Sequence, residues 1–419
     1  MEIRSRSVAN LGRPELTPAT PTGAPPASAH PDPTYARDAL QDVQALRSTR
    51  LPALPANLSL SAALSAYAEA PTAELEQHLH QLAQQNTQVF TNAAQGNDGD
   101  WMDQLHWQGY PRETYTMETT DELLEALHLS PDSPEGKAIN DLSIKMWQNS
   151  RSGARLHSYM LAIAKRHGAA GLAQICKKLS SYMREHWNDG HDAKPIDEAK
   201  LVEDILKDVA YPCAIGQESK NTCAAVSIQS KLAAERPLQY VDMVTTLASG
   251  RAYTTPDGTV MKPNTSWQGD ASDDRRLSEK ILQNAIMDLG GVPYDTRVNR
   301  GGMSRESQET AVEHIFGYRG NDFDSDTSED VGPDRLWQYV EDDLAHGRPV
   351  SVSLPGHAVL VVGFDPTKQP PQVLISTWGG LYTMDLDQFK QYVQAVRTVD
   401  DPWIDDKKLP HDRKTYLLQ

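Results

Sequence analysis

Apolar positions first recur at helical intervals from Leu58: Leu58, Leu60, Ala63 and Leu64 open one amphipathic run, and Leu75, Leu79 and Leu82 continue a second. Residues 121 to 127 follow Thr119 and Thr120, which suit a helix N-cap, and residues 160 to 164 and 172 to 179 carry two further apolar helical faces. No strand signal interrupts them, so an all-α helical domain is expected over residues 58 to 208. Past Tyr211 and Pro212 the texture changes: one helix-like stretch after Cys223, a region rich in Gly, Asp and Asn, then β-branched runs. Residues 350 to 354 and 357 to 364 flank Pro355-Gly356, which predicts a hairpin. Residues 373 to 375 and 381 to 384 predict two more strands, and residues 386 to 396 a helix. The fold class this implies is α+β, with helix first and sheet last in a second domain over 209 to 400.

The flanks differ. Residues 1 to 57 are rich in Pro, Ala, Ser and Thr and hold too few apolar side chains to offset the entropy of ordering, so a disordered arm is expected there, and 401 to 419 read as a polar tail. At 419 residues two folded units are expected. Lys and Arg total 40 against 57 for Asp and Glu, and the formal charge of -17 argues against nucleic acid or anionic lipid as a partner. No apolar stretch approaches the roughly 20 residues that span a bilayer, and the N-terminus lacks the apolar run of a signal peptide; export by a route that needs none stays open. Cys176, Cys213 and Cys223 form neither an even disulfide framework nor a metal-type spacing, which fits a reducing compartment.

One of these thiols stands where chemistry is expected. Cys223 opens an Ala-rich helical stretch behind Asn221 and Thr222, both able to cap it, and a helix N-terminus favours thiolate, the nucleophilic form. Gln217, six residues earlier on a loop, has an amide that can donate to an oxyanion beside the backbone N–H of Cys223. His357 opens a strand after a tight turn, so its imidazole is expected at the sheet edge, available as base. By contrast, Cys176 and Cys213 read as structural. The group His186, Asp189, His191 and Asp192 reads as an exposed helix end, and Asp322, Asp324, Asp326, Glu329 and Asp330 as a solvated acidic loop.

Gln217, five intervening residues and then Cys223-Ala224-Ala225 resemble the active-site segment of papain-like cysteine peptidases, and residues 356 to 364 are similar to that family's histidine strand. Ile375-Ser376-Thr377-Trp378-Gly379-Gly380 resembles the segment that supplies the family's third triad member, and residues 336 to 350 look like the helix and strand before histidine in bacteriocin-processing and effector peptidases. The resemblance spans roughly 211 to 396. It implies a papain-like domain in which Cys223 is the nucleophile, His357 the base, Gln217 the oxyanion donor, Ser376 the residue orienting imidazole and Trp378 the shielding indole, with no cofactor or metal. Ser376 departs from the family's Asn or Asp; a hydroxyl accepts the imidazole proton but carries no charge. The implied activity is hydrolysis of an amide in a protein or peptide substrate through a Cys223 thioester. Deamidation or transglutamination by the same machinery, and a catalytically silent binding module, stay open as alternatives. On this reading the helical region is a targeting or substrate-binding domain, or an inhibitory pro-segment. The Pro- and Ser-rich arm resembles the secretion leader of injected bacterial effectors.

Overall fold

The computed structural model describes residues 101–109, 119–149, 153–185, 196–299, 301–317, 320–324 and 332–399. The expected arm, the amphipathic runs after Leu58 and the polar tail lie outside them. The first described helix, α1 (Thr120–Ala126), starts on a capping box: the Thr119 hydroxyl accepts from the Glu122 N–H at 3.2 Å, and the Glu122 carboxylate accepts from the Thr119 N–H at 3.2 Å. Helix α2 (Pro134–Gln148) follows, capped by Ser133, and then α3 (Gly153–Glu185). The two apolar faces expected at 160–164 and 172–179 are the two arms of α3. Gly168 separates them at φ 75° and ψ 163°, a conformation that glycine reaches without a side-chain clash.

Helix α4 (Glu198–Ala210) buries Leu201, Val202, Ile205, Leu206 and Val209. These pack into one core with residues of α1 to α3 and of four later helices: α5 (Cys223–Glu235), α6 (Pro237–Ala248), α7 (Leu277–Leu289) and α8 (Arg305–Phe316). Arg166 ties α3 to the end of α4 by donating to the carbonyls of Val209 and Ala210 at 3.0 and 2.9 Å. The boundary expected between 208 and 209 therefore does not separate two cores. The apolar surface of α4 is covered by helices beyond Cys223.

The sheet has the order β1-β8-β7-β6-β5-β9-β4 and every neighbouring pair in it is antiparallel. Its strands are β1 (His106–Gly109), β4 (Gly320–Asp324), β5 (Val350–Leu354), β6 (His357–Asp365), β7 (Gln372–Thr377), β8 (Gly380–Asp385) and β9 (Ala395–Val399); β2 (Tyr253–Thr254) and β3 (Val260–Met261) form a separate ribbon. The predicted hairpin is present, with Leu354 opposite His357. The predicted last helix ends early: α10 (Leu386–Tyr392) stops, and Ala395 to Val399 pair with both β5 and β4. Alternation accounts for the strand, because Val396 faces the apolar core while Arg397 turns to the other face and donates to Ser353 at 3.0 Å.

One face of the sheet, carrying Val350, Val352, Val359, Val361, Val373 and Ile375, packs on Leu336, Trp337 and Val340 of α9 (Pro333–Ala345) and on Phe389 of α10. The opposite face carries Leu360, Val362 and Leu374 against Cys213, and meets α5 where the Ser227 and Ser351 hydroxyls bond at 2.6 Å. The chain is thus α+β. Among the described residues no helix is long and apolar enough to cross a membrane.

Candidate functional site

Helix α5 is buried over almost its whole length and begins at Cys223, so the first thing it presents is a thiol. Neither expected cap acts as one. The Asn221 amide donates to the Asn299 carbonyl at 3.0 Å, and the Thr222 hydroxyl donates to Gln283 at 2.7 Å. The half-buried Cys223 sulfur instead lies beside the backbone N–H groups of Ala358, Ala224 and Cys223 itself, whose dipoles favour the thiolate. Burial still outweighs them and pushes the thiol above its ordinary value.

The loop before α5 is held from below by α7 and the 294–299 segment. Glu279 accepts from the Gly216 N–H at 2.9 Å, and Gln283 donates to the Gly216 carbonyl at 2.8 Å while accepting from Arg275 at 3.0 Å. Lys220 pairs with Asp270 at 2.6 Å and donates to the Thr296 carbonyl, and Asn299 accepts from the Asn221 N–H and donates to the Ser219 carbonyl. Gln217 lies buried inside this clamp. One N–H of its amide goes to the Lys220 carbonyl at 2.8 Å, which fixes the rotamer and leaves the amide a second hydrogen. A Cβ on Gly216 would stand 3.7 Å from Gly379, so the same loop lies against the turn joining β7 to β8.

His357 is the first residue of β6, and Ala358, whose backbone N–H lies beside the sulfur, is the second. The Cys223 thiol is thus next to the peptide that follows His357. Strand alternation, however, assigns Ala358, Leu360 and Val362 to the α5 face and His357, Val359 and Val361 to the α9 face. The ring is buried there. Its Nε2 is hydrogen-bonded to Thr377 Oγ1 at 2.7 Å, and it stacks on Trp378 at 4.7 Å and on Trp101 at 5.8 Å with interplanar angles of 19° and 17°. Burial alone lowers the imidazole from its ordinary value to about 3. Both shifts oppose a thiolate–imidazolium pair, so thiol and imidazole are both neutral at neutral pH.

Ser376 is not the partner of His357. Its hydroxyl lies beside the buried Cys213 thiol on the α5 face, because Ser376 alternates with Leu374, whereas Thr377 alternates with Val373 and Ile375 on the imidazole's face. That alternation was readable in the sequence and identifies Thr377. Trp378 does stack on the imidazole, and it does so at φ 49°, with Gly379 at φ 74°. A two-residue hairpin turn demands positive φ at both places, a geometry that favours Asn or Gly over a bulky indole. Its Nε1 is buried with no hydrogen-bond partner among the described residues. Trp101 and the Gln283–Asn299 clamp carried no sequence signal, since each is joined to the site only by tertiary packing.

Cys176 is fully buried in α3, and burial raises its thiol strongly. Among the described residues no group of His, Cys, Asp and Glu side chains is placed to hold a metal ion. The His186–Asp192 group and most of the acidic loop lie outside the described residues, with Asp322 and Asp324 on β4. Clefts of about 430 and 460 Å³ lie elsewhere, the first between α3 and α6 beside Lys178 and Asp242, the second beyond the far end of α5 beside Arg166 and Arg348. No protein-family model, curated protein or solved structure matches the chain.

Proposed function

We propose that the chain is a papain-like thiol hydrolase acting on an amide of a protein or peptide substrate, with Cys223 as nucleophile and His357 as base. The observation that carries this reading is the convergence of three segments distant in sequence. The Cys223 sulfur lies beside the N–H that follows His357, His357 stacks on Trp378, and Gly216, next to Gln217, lies against Gly379. From a neutral resting pair the mechanism is general-base catalysis: the imidazole takes the thiol proton as sulfur attacks the carbonyl, and returns it to the departing amine. The second N–H of Gln217 and the N–H of Cys223 supply the oxyanion donors. Water then resolves the thioester; an amine acceptor would make the same machinery a transglutaminase, and a glutamine side chain as substrate a deamidase.

Iodoacetamide tests the assignment directly, since Cys176 and Cys213 are buried and Cys223 is half-buried. Labelling is expected at Cys223 first, to be slowed in His357→Ala, and a Cys223→Ser variant is expected to retain a substrate that wild type releases. Labelling of Cys223 that is indifferent to His357 rules out the catalytic pair. A second reading, a silent papain-like binding module, is favoured by the two opposed shifts and by the turning away of Ser376. Turnover of any amide by wild type that Cys223→Ala abolishes excludes it.

A further inference from the structure

Trp101 lies more than a hundred residues before the segment that resembles a peptidase, yet it is fully buried against the imidazole. Three rings, those of Trp101, His357 and Trp378, stand nearly parallel: Trp101 is 5.8 Å from His357 and 6.1 Å from Trp378, with interplanar angles of 17° and 12°. The Trp101 Nε1–H donates to the Pro355 carbonyl at 3.1 Å, in the turn that delivers His357 to the head of β6. Behind it, β1 pairs with β8, the strand that leaves the Trp378–Gly379 turn, with His106 opposite Thr383, and the Gln108 amide donates to Thr383 at 2.9 Å. The upstream segment is therefore fastened to the sheet on the side of the imidazole, and the Trp101 ring is spent on that imidazole and on the turn before it.

We propose that Trp101 is a positioning residue of this site, holding the plane of the His357 ring and the Pro355–Gly356 turn so that the imidazole keeps one orientation at the head of β6. The inference rests on the hydrolase reading above and deepens it: the site is incomplete without a residue from the N-terminal side of the helices. A stacked indole also excludes water from the ring, which agrees with the lowered imidazole value, since burial is its cause.

The experiment uses the full chain and times iodoacetamide labelling of Cys223 from pH 4 to 9 in wild type, Trp101→Ala, Trp101→Phe, His357→Ala and the Trp101→Ala/His357→Ala double variant. Trp101→Ala is expected to slow labelling about tenfold near neutral pH and to move the acid limb of the profile upward, as a hydrated imidazole protonates nearer its ordinary value of about 6.5. The double variant is expected to label no more slowly than His357→Ala alone, because two residues acting through one group are not additive. Trp101→Phe keeps a ring on the imidazole and is expected to stay within about threefold of wild type, which separates stacking from a failure to fold. Wild-type rate and acid limb in Trp101→Ala, or additive slowing in the double variant, overturn the role given to Trp101 and leave the hydrolase reading standing. Wild-type labelling in His357→Ala overturns that reading, and this inference with it.

Discussion

Thr377 Oγ1 lies 2.7 Å from His357 Nε2, while the hydroxyl of Ser376, one residue earlier on β7, lies beside the Cys213 thiol on the other face of the sheet. One step along a strand decides which hydroxyl meets the imidazole. A Thr and a Val have nearly the same shape, so Thr377→Val removes the hydrogen bond with little change in packing. It leaves a buried ring nitrogen without that partner, at a cost of about 1–3 kcal/mol in stability. Labelling of Cys223 is expected to slow about tenfold in Thr377→Val and to stay at the wild-type rate in Ser376→Ala. Equal slowing in both would show that the two hydroxyls act through the fold and not through His357.

Acid should weaken the fold before it reaches the carboxylates. His357 is held neutral in the folded chain to about pH 3, whereas in the unfolded chain it protonates near its ordinary 6.5. Above that ordinary value both states are neutral and the term vanishes. As pH falls from about 6.5 toward 3 the unfolded chain binds a proton that the folded chain refuses, and stability is lost by up to roughly 4–5 kcal/mol. His167, lowered to about 4 by burial and by the charge of Arg166, adds to the loss in the same direction. Urea unfolding at pH 7.5 and 4.5 is expected to show the drop, and His357→Gln to flatten it. A His357→Gln variant as acid-sensitive as wild type contradicts a buried neutral imidazole.

Much of this arrangement was legible in the chain. The Pro355–Gly356 hairpin, the strands that follow it and the helix opened by Cys223 were all readable, because each is fixed by a short-range signal: a two-residue turn, alternation or a cap-like stretch. The Asn221 and Thr222 caps were not, since the polar groups of α7 and Asn299 claim both side chains. The 395–399 strand was hidden behind an apolar run that continues the helix pattern; its partners β5 and β4 lie tens of residues upstream. Neither could the boundary at 208 hold, because the apolar pattern of α4 declares that a face must be covered without saying by which helix. Trp101 was the least accessible, a ring joined to His357 across more than two hundred residues.

Gln283 is the centre of the loop clamp. Its amide donates to the Gly216 carbonyl and to Gln229, and its oxygen accepts from Thr222 and Arg275, all in a buried setting. Truncation leaves several buried polar groups unpaired at once, so Gln283→Ala is expected to lower stability by about 2–4 kcal/mol. Asn299 offers a cleaner test of preorganisation. It sits at φ 48°, so Asn299→Gly keeps the backbone relaxed and removes the side-chain bonds to the Asn221 N–H, the Ser219 carbonyl and the Tyr294 hydroxyl. Asn299→Gly is expected to slow Cys223 labelling several-fold with a smaller loss of melting temperature than Gln283→Ala. A rate unchanged from wild type would mean that the thiol does not depend on the loop.

Trp378 sets backbone strain against packing. At φ 49° a bulky side chain is held in a conformation that costs of order 1–3 kcal/mol, and its neighbours supply the compensation: His357 at 4.7 Å, Trp101 at 6.1 Å and Tyr382 edge-on at 5.9 Å. Asn at this position suits the turn and relieves the strain, but it removes a buried indole whose loss costs about 3–5 kcal/mol. The balance predicts that Trp378→Asn is destabilised, by less than Trp101→Ala, which loses a buried indole with no strain relieved. It also predicts that hydration of the ring raises the pH at which His357 protonates, so the acid sensitivity described above should weaken in Trp378→Asn as it does in His357→Gln. Thermal midpoints and urea unfolding at the two pH values measure both effects. A Trp378→Asn chain more stable than wild type at pH 7.5 would mean that the indole is tolerated in the turn and contributes no net packing around the imidazole.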